Sequence, residues 1–125
     1  MWIYYLKRPF SAVRTRLVEN PINDIAVCSV VWAELLHGAR KYEDSIARES
    51  MLQTTLSPFD NLDFDLAAAR HDAEIRHNLE QRGLIIGNND LMIAAIALAN
   101  DLTVVTHNPD EFKRVHGLQV EDWSV

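Results

Sequence analysis

The fold of this chain is predicted most directly from residues 86–100, Ile86-Gly-Asn-Asn-Asp-Leu-Met-Ile-Ala-Ala-Ile-Ala-Leu-Ala-Asn100. A glycine and three polar residues, Asn88, Asn89 and Asp90, lead directly into an apolar helix. Either Asn89 or Asp90 can cap this helix, because a short side-chain oxygen accepts hydrogen bonds from the free N–H groups of the first turn. Asp90 therefore lies at a helix N-terminus, where the dipole favours its ionised form.

A buried parallel strand is predicted directly after this helix, over Leu102-Thr-Val-Val-Thr106. Three polar residues come just past that strand: Asn108, Asp110 and Glu111. Ligands of open α/β sheets bind at the carboxyl ends of the strands. The sequence therefore predicts a site that Asp90 shares with the polar residues after the strand.

The composition indicates one packed domain over residues 1–125. The chain is 48% hydrophobic and 24% charged, which allows a core and does not indicate disorder. Its net charge of −6 argues against a protein that coats nucleic acid by bulk charge, but not against an enzyme that meets nucleic acid through metal ions. With Cys28 as the only cysteine, no internal disulfide can form, and we expect a cytoplasmic protein. No apolar run is long enough to cross a bilayer.

Strands and helices alternate along the predicted chain, which is typical of an α/β fold with a mostly parallel sheet and helices on both faces. The predicted strands are Ile25–Ser29, Leu62–Phe64, Leu102–Thr106 and an edge strand within Val115–Val120. The predicted helices are Met1–Leu6, Ser11–Asn20, one capped by Ser29, Ser45–Leu56, one from Leu66 to about Arg82 capped by Asp65, the central helix, and a turn over Pro109–Arg114. Gly83 is expected just past the end of its helix. Because the chain begins with a helix, only three or four strands from Ile25 onwards are left to form the sheet.

Carboxylates on successive elements are candidate ligands for Mg²⁺ or Mn²⁺, which prefer oxygen donors. Glu34 follows the first predicted strand on a helix of apolar neighbours, and Asp90, Asp110 and Glu111 follow later elements. Each acid also has an ordinary structural interpretation. Glu34 fits the solvated flank of an amphipathic helix, Asp90 a cap, and the other two the first turn of a short helix. Only their joint placement indicates a site.

Five blocks of sequence together carry a resemblance to a known family. They are Trp2-Ile-Tyr-Tyr-Leu-Lys7, Cys28-Ser-Val-Val-Trp-Ala-Glu-Leu-Leu-His-Gly-Ala39, Gly87-Asn-Asn-Asp-Leu-Met-Ile-Ala-Ala95, Leu102-Thr-Val-Val-Thr-His-Asn-Pro-Asp-Glu-Phe112 and Val115-His-Gly-Leu-Gln-Val-Glu-Asp-Trp123. In this order the blocks resemble PIN-domain proteins of the VapC toxin kind. The likeness covers nearly the whole chain, and although each block alone is weak, the set is specific.

The resemblance implies a Mg²⁺- or Mn²⁺-dependent endoribonuclease, the toxin of a type II toxin–antitoxin pair. It implies that Asp90 binds the metal directly and that Glu34 holds the ion or its water. Glu111, Asp110 and Asn108 would complete the site. It also implies a homodimer, an RNA substrate, and a VapB-like antitoxin whose C-terminal segment enters the active-site groove.

The chain departs from the family at its N-terminus. The family begins with a central strand that ends in Leu-Asp-Thr-Asn, and its aspartate is a principal metal ligand. Residues Trp2–Lys7 resemble the helix after that motif, so the first strand and the first catalytic aspartate are expected to be missing. Either the recorded start is an internal methionine, or the chain is a truncated and inactive relative that only binds an antitoxin. A receiver-like phosphorylation domain fits far less well, because the acids after a first strand and the late lysine that it needs are absent.

Overall fold

The computed structural model describes residues 4–6 and 25–122. Within them, the strands are β1 (Tyr4–Leu6), β2 (Ile25–Cys28), β3 (Asp60–Leu62), β4 (Thr103–Val105) and β5 (Val120–Glu121). The helices are α1 (Ser29–Ala39), α2 (Ser45–Leu56), α3 (Leu66–Gln81), α4 (Asn88–Ala99) and the short α5 (Pro109–Phe112). The described strands form a single sheet in the order β3-β2-β1-β4-β5.

Four of these strands run in the same direction. β2 pairs with β3 and β4 pairs with β5 in parallel register, with Val27 opposite Asn61 and Val104 opposite Val120. Both β2 and β4 are antiparallel to β1, and they therefore share one direction. The predicted α/β architecture with a mostly parallel sheet is confirmed, and the carboxyl ends of four strands lie along one edge.

The prediction of a helix over Met1–Leu6 is wrong for residues 4–6, which form the middle strand of the sheet. Tyr5 lies opposite Ala26 on one side and Val104 on the other. Without a strand at this position, the facing edges of β2 and β4 would keep buried backbone groups without partners, which is costly. Two aromatic residues and a leucine suit a strand, so sheet pairing outweighs the local helical pattern. The predicted helix over 11–20 lies outside the described residues.

Tyr5 links this middle strand to the central helix. Its side chain is fully buried, and its hydroxyl donates a 2.8 Å hydrogen bond to the backbone carbonyl of Ile93 in α4. Burial raises the pKa of the Tyr5 phenol far above its usual range, so the hydroxyl remains a neutral donor. Cys28 lies beside it and is a buried free thiol, as predicted for a small core residue.

The central helix α4 forms much of the core. Leu91 is buried, and so are five consecutive residues that follow Met92: Ile93, Ala94, Ala95, Ile96 and Ala97. Buried residues of α3, among them Ala68, Ile75 and Leu79, belong to the same apolar cluster. A helix that is apolar on all sides is expected to be enclosed, and this enclosure holds the N-terminus of α4 in a defined place.

The helix boundaries follow local sequence signals with one correction. α2 has the predicted bounds, and the Asp65 carboxylate accepts a 2.9 Å hydrogen bond from the Ala68 N–H, as expected of the α3 cap. Gly83 adopts φ +67° directly after α3, as predicted. Ser29 does not cap α1, because its hydroxyl instead donates to the Leu62 carbonyl at 3.4 Å. No helix within the described ranges is long and apolar enough to span a membrane.

The predicted strand limits are less accurate. β3 covers Asp60–Leu62, two residues earlier than the predicted Leu62–Phe64. β5 is limited to Val120–Glu121, of which only Val120 lies within the predicted edge strand. Such short strands are defined by pairing with a neighbour, so the sequence pattern places them only approximately.

Candidate active site

Asp90 lies in the first turn of α4, but it does not cap the helix. The capping position belongs to Gly87, and no side chain caps this end. The half-buried Asp90 carboxylate folds back over the first turn. Its Oδ2 lies 4.0 Å from where a Cβ on Gly87 would be, which is ordinary van der Waals contact. The prediction that Asn89 or Asp90 caps α4 is therefore wrong, whereas the position of Asp90 at the helix start is confirmed.

The Asp90 carboxyl lies within hydrogen-bonding reach of the side chain of Glu111, on the short helix α5 that follows β4. Two carboxyl groups can share a hydrogen bond only when one of them carries a proton. Burial, the Glu111 carboxyl and the charge of Glu34 together raise the pKa of Asp90 to about 7. The expectation that the helix dipole keeps Asp90 ionised is thus corrected, because burial and neighbouring acids outweigh it.

Glu34 approaches the same place from α1. It is exposed, in keeping with the solvated flank of an amphipathic helix, yet its charge acts on Asp90. An open cleft of about 380 Å³ has Glu34 on its α1 wall. Asn89 and Met92, on either side of Asp90 in sequence, line it from α4. Of the acids, the cleft exposes Glu34 to a ligand directly, and it reaches the neighbourhood of Asp90 through the adjacent Asn89.

The other two predicted residues lie on or next to α5. The backbone N–H of Asn108, at the capping position of α5, donates a 3.1 Å hydrogen bond to the Thr106 hydroxyl. Asp110 is exposed in the first turn of α5 and is not among the described groups that shift the pKa of Asp90. The structure therefore brings together Asp90, Glu111 and Glu34, with Asn108 and Asp110 beside them.

The donor set fits a hard divalent cation that keeps most of its ligands as water. Among the described residues, no three His, Cys, Asp or Glu side chains are close enough to enclose a metal ion. Mg²⁺ rarely needs such a cage, because one or two carboxylates with waters and substrate phosphates suffice. Asp90 and Glu111 are two such carboxylates in contact, and a cation between them would replace the shared proton. The residues present therefore fit Mg²⁺ or Mn²⁺.

Sequence reasoning missed two residues that line the cleft, Ser29 and His37. His37 follows Glu34 by three positions, a spacing that puts both on one face of α1. That spacing was the available signal for His37. Ser29 had no comparable signal, because a serine before a helix usually indicates a cap.

Comparison with known proteins identifies the family. The family model of the PIN domain matches residues 1–118. Ribonuclease VapC2 of Rickettsia felis is 45% identical over 101 residues, which cover 81% of this chain and 75% of that protein. The chain belongs to the VapC ribonucleases of the PIN-domain family. The tRNA(fMet)-specific endonuclease VapC of Shigella flexneri is 38% identical over 122 residues, covering 98% of this chain and 92% of the relative.

Solved structures of the VapC family share the fold. The crystal structure of DNA-bound VapBC from Salmonella typhimurium superposes with a TM-score of 0.80 at 33% identity, covering 94% of this chain and 87% of that one. VapBC2 from Rickettsia felis, bound to a promoter DNA fragment, gives a TM-score of 0.74 at 44% identity, covering 78% and 74% of the two chains. The resemblance read from the sequence is therefore confirmed along most of the chain.

Proposed function

We propose that this chain is a metal-dependent endoribonuclease that hydrolyses RNA phosphodiester bonds, and that it is the toxin of a type II toxin–antitoxin pair. The observation that carries the proposal is the contact between Asp90 and Glu111 beside an open cleft that Glu34 lines. The names of the relatives, which are ribonucleases and tRNA(fMet)-specific endonucleases, support the same chemistry.

Each acid has a separate role in this proposal. Asp90 and Glu111 would hold Mg²⁺ or Mn²⁺ directly, and Glu34 would hold the ion or its water from α1, where it lines the cleft. When bound, such an ion activates a water for attack on phosphorus and stabilises the leaving oxygen. Asn108 and Asp110 would orient water at the rim. Because burial raises the pKa of Asp90 to about 7, metal binding must displace a proton from the pair and should strengthen as pH rises.

The proposal includes an antitoxin partner and a cytoplasmic location. The similar structures from Salmonella typhimurium and Rickettsia felis are VapBC assemblies bound to DNA. We infer that a VapB-like antitoxin binds this chain and covers its active-site groove, and that the toxin acts as a homodimer. The groove would then become accessible to the RNA substrate only after the antitoxin is lost.

The test is cleavage of RNA by the purified chain with Mn²⁺ or Mg²⁺, with tRNA(fMet) as the first substrate because relatives are named for it. We expect Asp90→Asn, Glu111→Gln and Glu34→Gln each to lower the cleavage rate about 100-fold or more, since each removes several kcal/mol of charge stabilisation. Asp101→Asn, at the other end of α4, is the matched control and should retain full activity. Full activity of Asp90→Asn in folded protein would contradict the proposal.

A second candidate is a catalytically inactive module that only binds an antitoxin. The middle strand favours it, because Tyr4, Tyr5 and Leu6 bring no carboxylate to the centre of the sheet. This candidate predicts antitoxin binding without Mn²⁺ binding and without RNA cleavage. A Mn²⁺ titration of the purified chain separates the two candidates.

A further inference from the structure

Arg114 fastens the loop that leads into the α4 N-terminus. Its Nη1 donates a 2.9 Å hydrogen bond to the backbone carbonyl of Ile85. Ile85 lies in the loop between Gly83 and α4, five residues before Asp90, and its own side chain is 75% exposed. The loop is held from within by the buried side chain of Ile86 and from outside by this guanidinium.

The same residue is tied to the helix that carries Glu111. The backbone N–H of Arg114 donates a 3.1 Å hydrogen bond to the Glu111 carbonyl, and Arg114 comes directly after the last turn of α5. Arg114 thus contacts both segments that deliver the paired carboxyls. Its backbone N–H is bonded to Glu111 itself, and its side chain is bonded to the loop that precedes the helix carrying Asp90.

Arg82 supports Arg114 from the end of α3. Its Nη1 donates to the Arg114 carbonyl at 2.7 Å and to the Asn78 Oδ1 at 2.8 Å. One guanidinium nitrogen can make both bonds, because it carries two hydrogens in a fixed plane. The two arginines therefore link three segments: the end of α3, the loop before α4 and the end of α5.

We propose that Arg114, supported by Arg82, is a positioning residue that sets the spacing of the Asp90 and Glu111 carboxyls for metal binding. This inference rests on the proposed metal-dependent site. Neither guanidinium needs to touch the metal or the RNA for this role. A shift in either segment would separate two side chains that are now within hydrogen-bond distance. Outer groups that orient metal ligands change metal affinity by about 10- to 100-fold when they are removed.

The experiment measures Mn²⁺ affinity calorimetrically in the absence of RNA, so that any contact of the arginines with RNA phosphates has no influence. We expect Arg114→Ala to weaken Mn²⁺ binding about 10-fold and Arg82→Ala to weaken it less. Lys113→Ala is the matched control, because it removes the same charge one residue away at an exposed position. It should change the affinity less than twofold. Circular dichroism verifies folding, and Arg114→Lys, which keeps one donor, should show an intermediate affinity.

A double variant tests whether the effect passes through Glu111. In a Glu111→Ala background, Arg114→Ala should weaken Mn²⁺ binding no further, since the spacing of the pair no longer matters. An undiminished loss in that background, or an equal loss in Lys113→Ala, would overturn the inference. If the unmodified chain binds Mn²⁺ and cleaves RNA while Arg114→Ala binds equally well, the positioning role fails alone. If the unmodified chain binds no Mn²⁺, both the role and the proposed function fail.

Discussion

At the scale of single residues, Asp90 shows how burial and neighbours override a local electrostatic preference. The N-terminus of α4 favours a carboxylate, yet burial and the carboxyl of Glu111 raise the pKa of Asp90 to about 7. Two neighbouring carboxylates repel each other when both are ionised, and a divalent cation bound to them would remove this repulsion. This is the expected electrostatic state of a metal site made from carboxylates.

The pKa of Asp90 predicts a pH-dependent stability of the metal-free protein. The folded chain holds this proton more tightly than the unfolded chain, where the pKa is near 3.8. Below about pH 4, Asp90 should therefore not lower the free energy of unfolding. This free energy should fall as the pH rises from about 4 to about 7, and the contribution of Asp90 should stay constant at higher pH. Asp90→Asn should be more stable than the unmodified chain by about 1–2 kcal/mol at pH 8 after solvent screening, and equally stable near pH 4.

Urea unfolding in EDTA at several pH values measures this difference. Saturating Mg²⁺ should remove the advantage of Asp90→Asn at pH 8, because the cation stabilises only the chain that keeps the ligand. The same measurement on Asp101→Asn, at the other end of α4, provides the matched control. A difference for Asp90→Asn that is the same at pH 4 and pH 8 would show that the carboxyl titrates normally.

At the scale of elements, α3 is the helix whose beginning and end the local sequence specifies most completely. Asp65 caps its N-terminus, and Gly83 takes the left-handed conformation that ends it. The C-terminal end of this helix places Arg82 within hydrogen-bond distance of Arg114, and its buried face packs against α4. The helix therefore influences the position of the site residues indirectly. Good local signals are therefore found in the scaffold around the site.

Loss of the α3 cap should destabilise the whole domain modestly. Asp65→Ala leaves the Ala68 N–H without its side-chain acceptor and should lower the free energy of unfolding by about 1 kcal/mol. Glu80→Ala, an exposed substitution in the last turn of the same helix, is the control and should be close to neutral. Chemical denaturation of both variants measures the difference. Equal stability of the two would mean that the cap contributes nothing.

At the scale of the whole molecule, the fold depends on a strand of three residues in the middle of the sheet. β1 joins β2 to β4, and Tyr5 fixes it to α4 through the Ile93 carbonyl. Because the sheet would otherwise be divided at its centre, this short strand has more influence than its length suggests. The carboxyl ends of β2 and β4 keep their relative position only while it is in place.

Substitutions of Tyr5 test this arrangement. Tyr5→Phe removes only the hydrogen bond to Ile93 and should cost about 1 kcal/mol of stability. Tyr5→Ala also leaves a cavity in the core and should cost about 3–5 kcal/mol. The buried Cys28 thiol is the second readout, since its reaction with a thiol reagent should be slow in Tyr5→Phe and fast in Tyr5→Ala. Fast labelling of the unmodified chain would show that β1 does not cover this part of the core.

The amino-acid sequence alone was enough to predict most of the helices, the presence of four parallel strands and the family. Periodic apolar positions, the Asp65 cap and Gly83 are local signals, and α2 and α3 depend mainly on such signals. Asp90, Glu34 and Glu111 could be named as candidates because each follows or precedes a predicted element. The family resemblance supported the same residues. In the structure, Glu34 lines the cleft and the Asp90 carboxyl lies next to that of Glu111.

The way in which these parts combine depends on tertiary contacts. Tyr4–Leu6 is a strand because the backbone groups on the facing edges of β2 and β4 need hydrogen-bond partners. The local sequence pattern of residues 4–6 does not reveal this requirement. The pKa of Asp90 depends on burial and on Glu111, 21 positions later in the chain. The link from Arg82 through Arg114 to Ile85 joins residues about 30 positions apart. Contacts between distant segments cannot be read from local periodicity, because their energies exist only once the chain has folded.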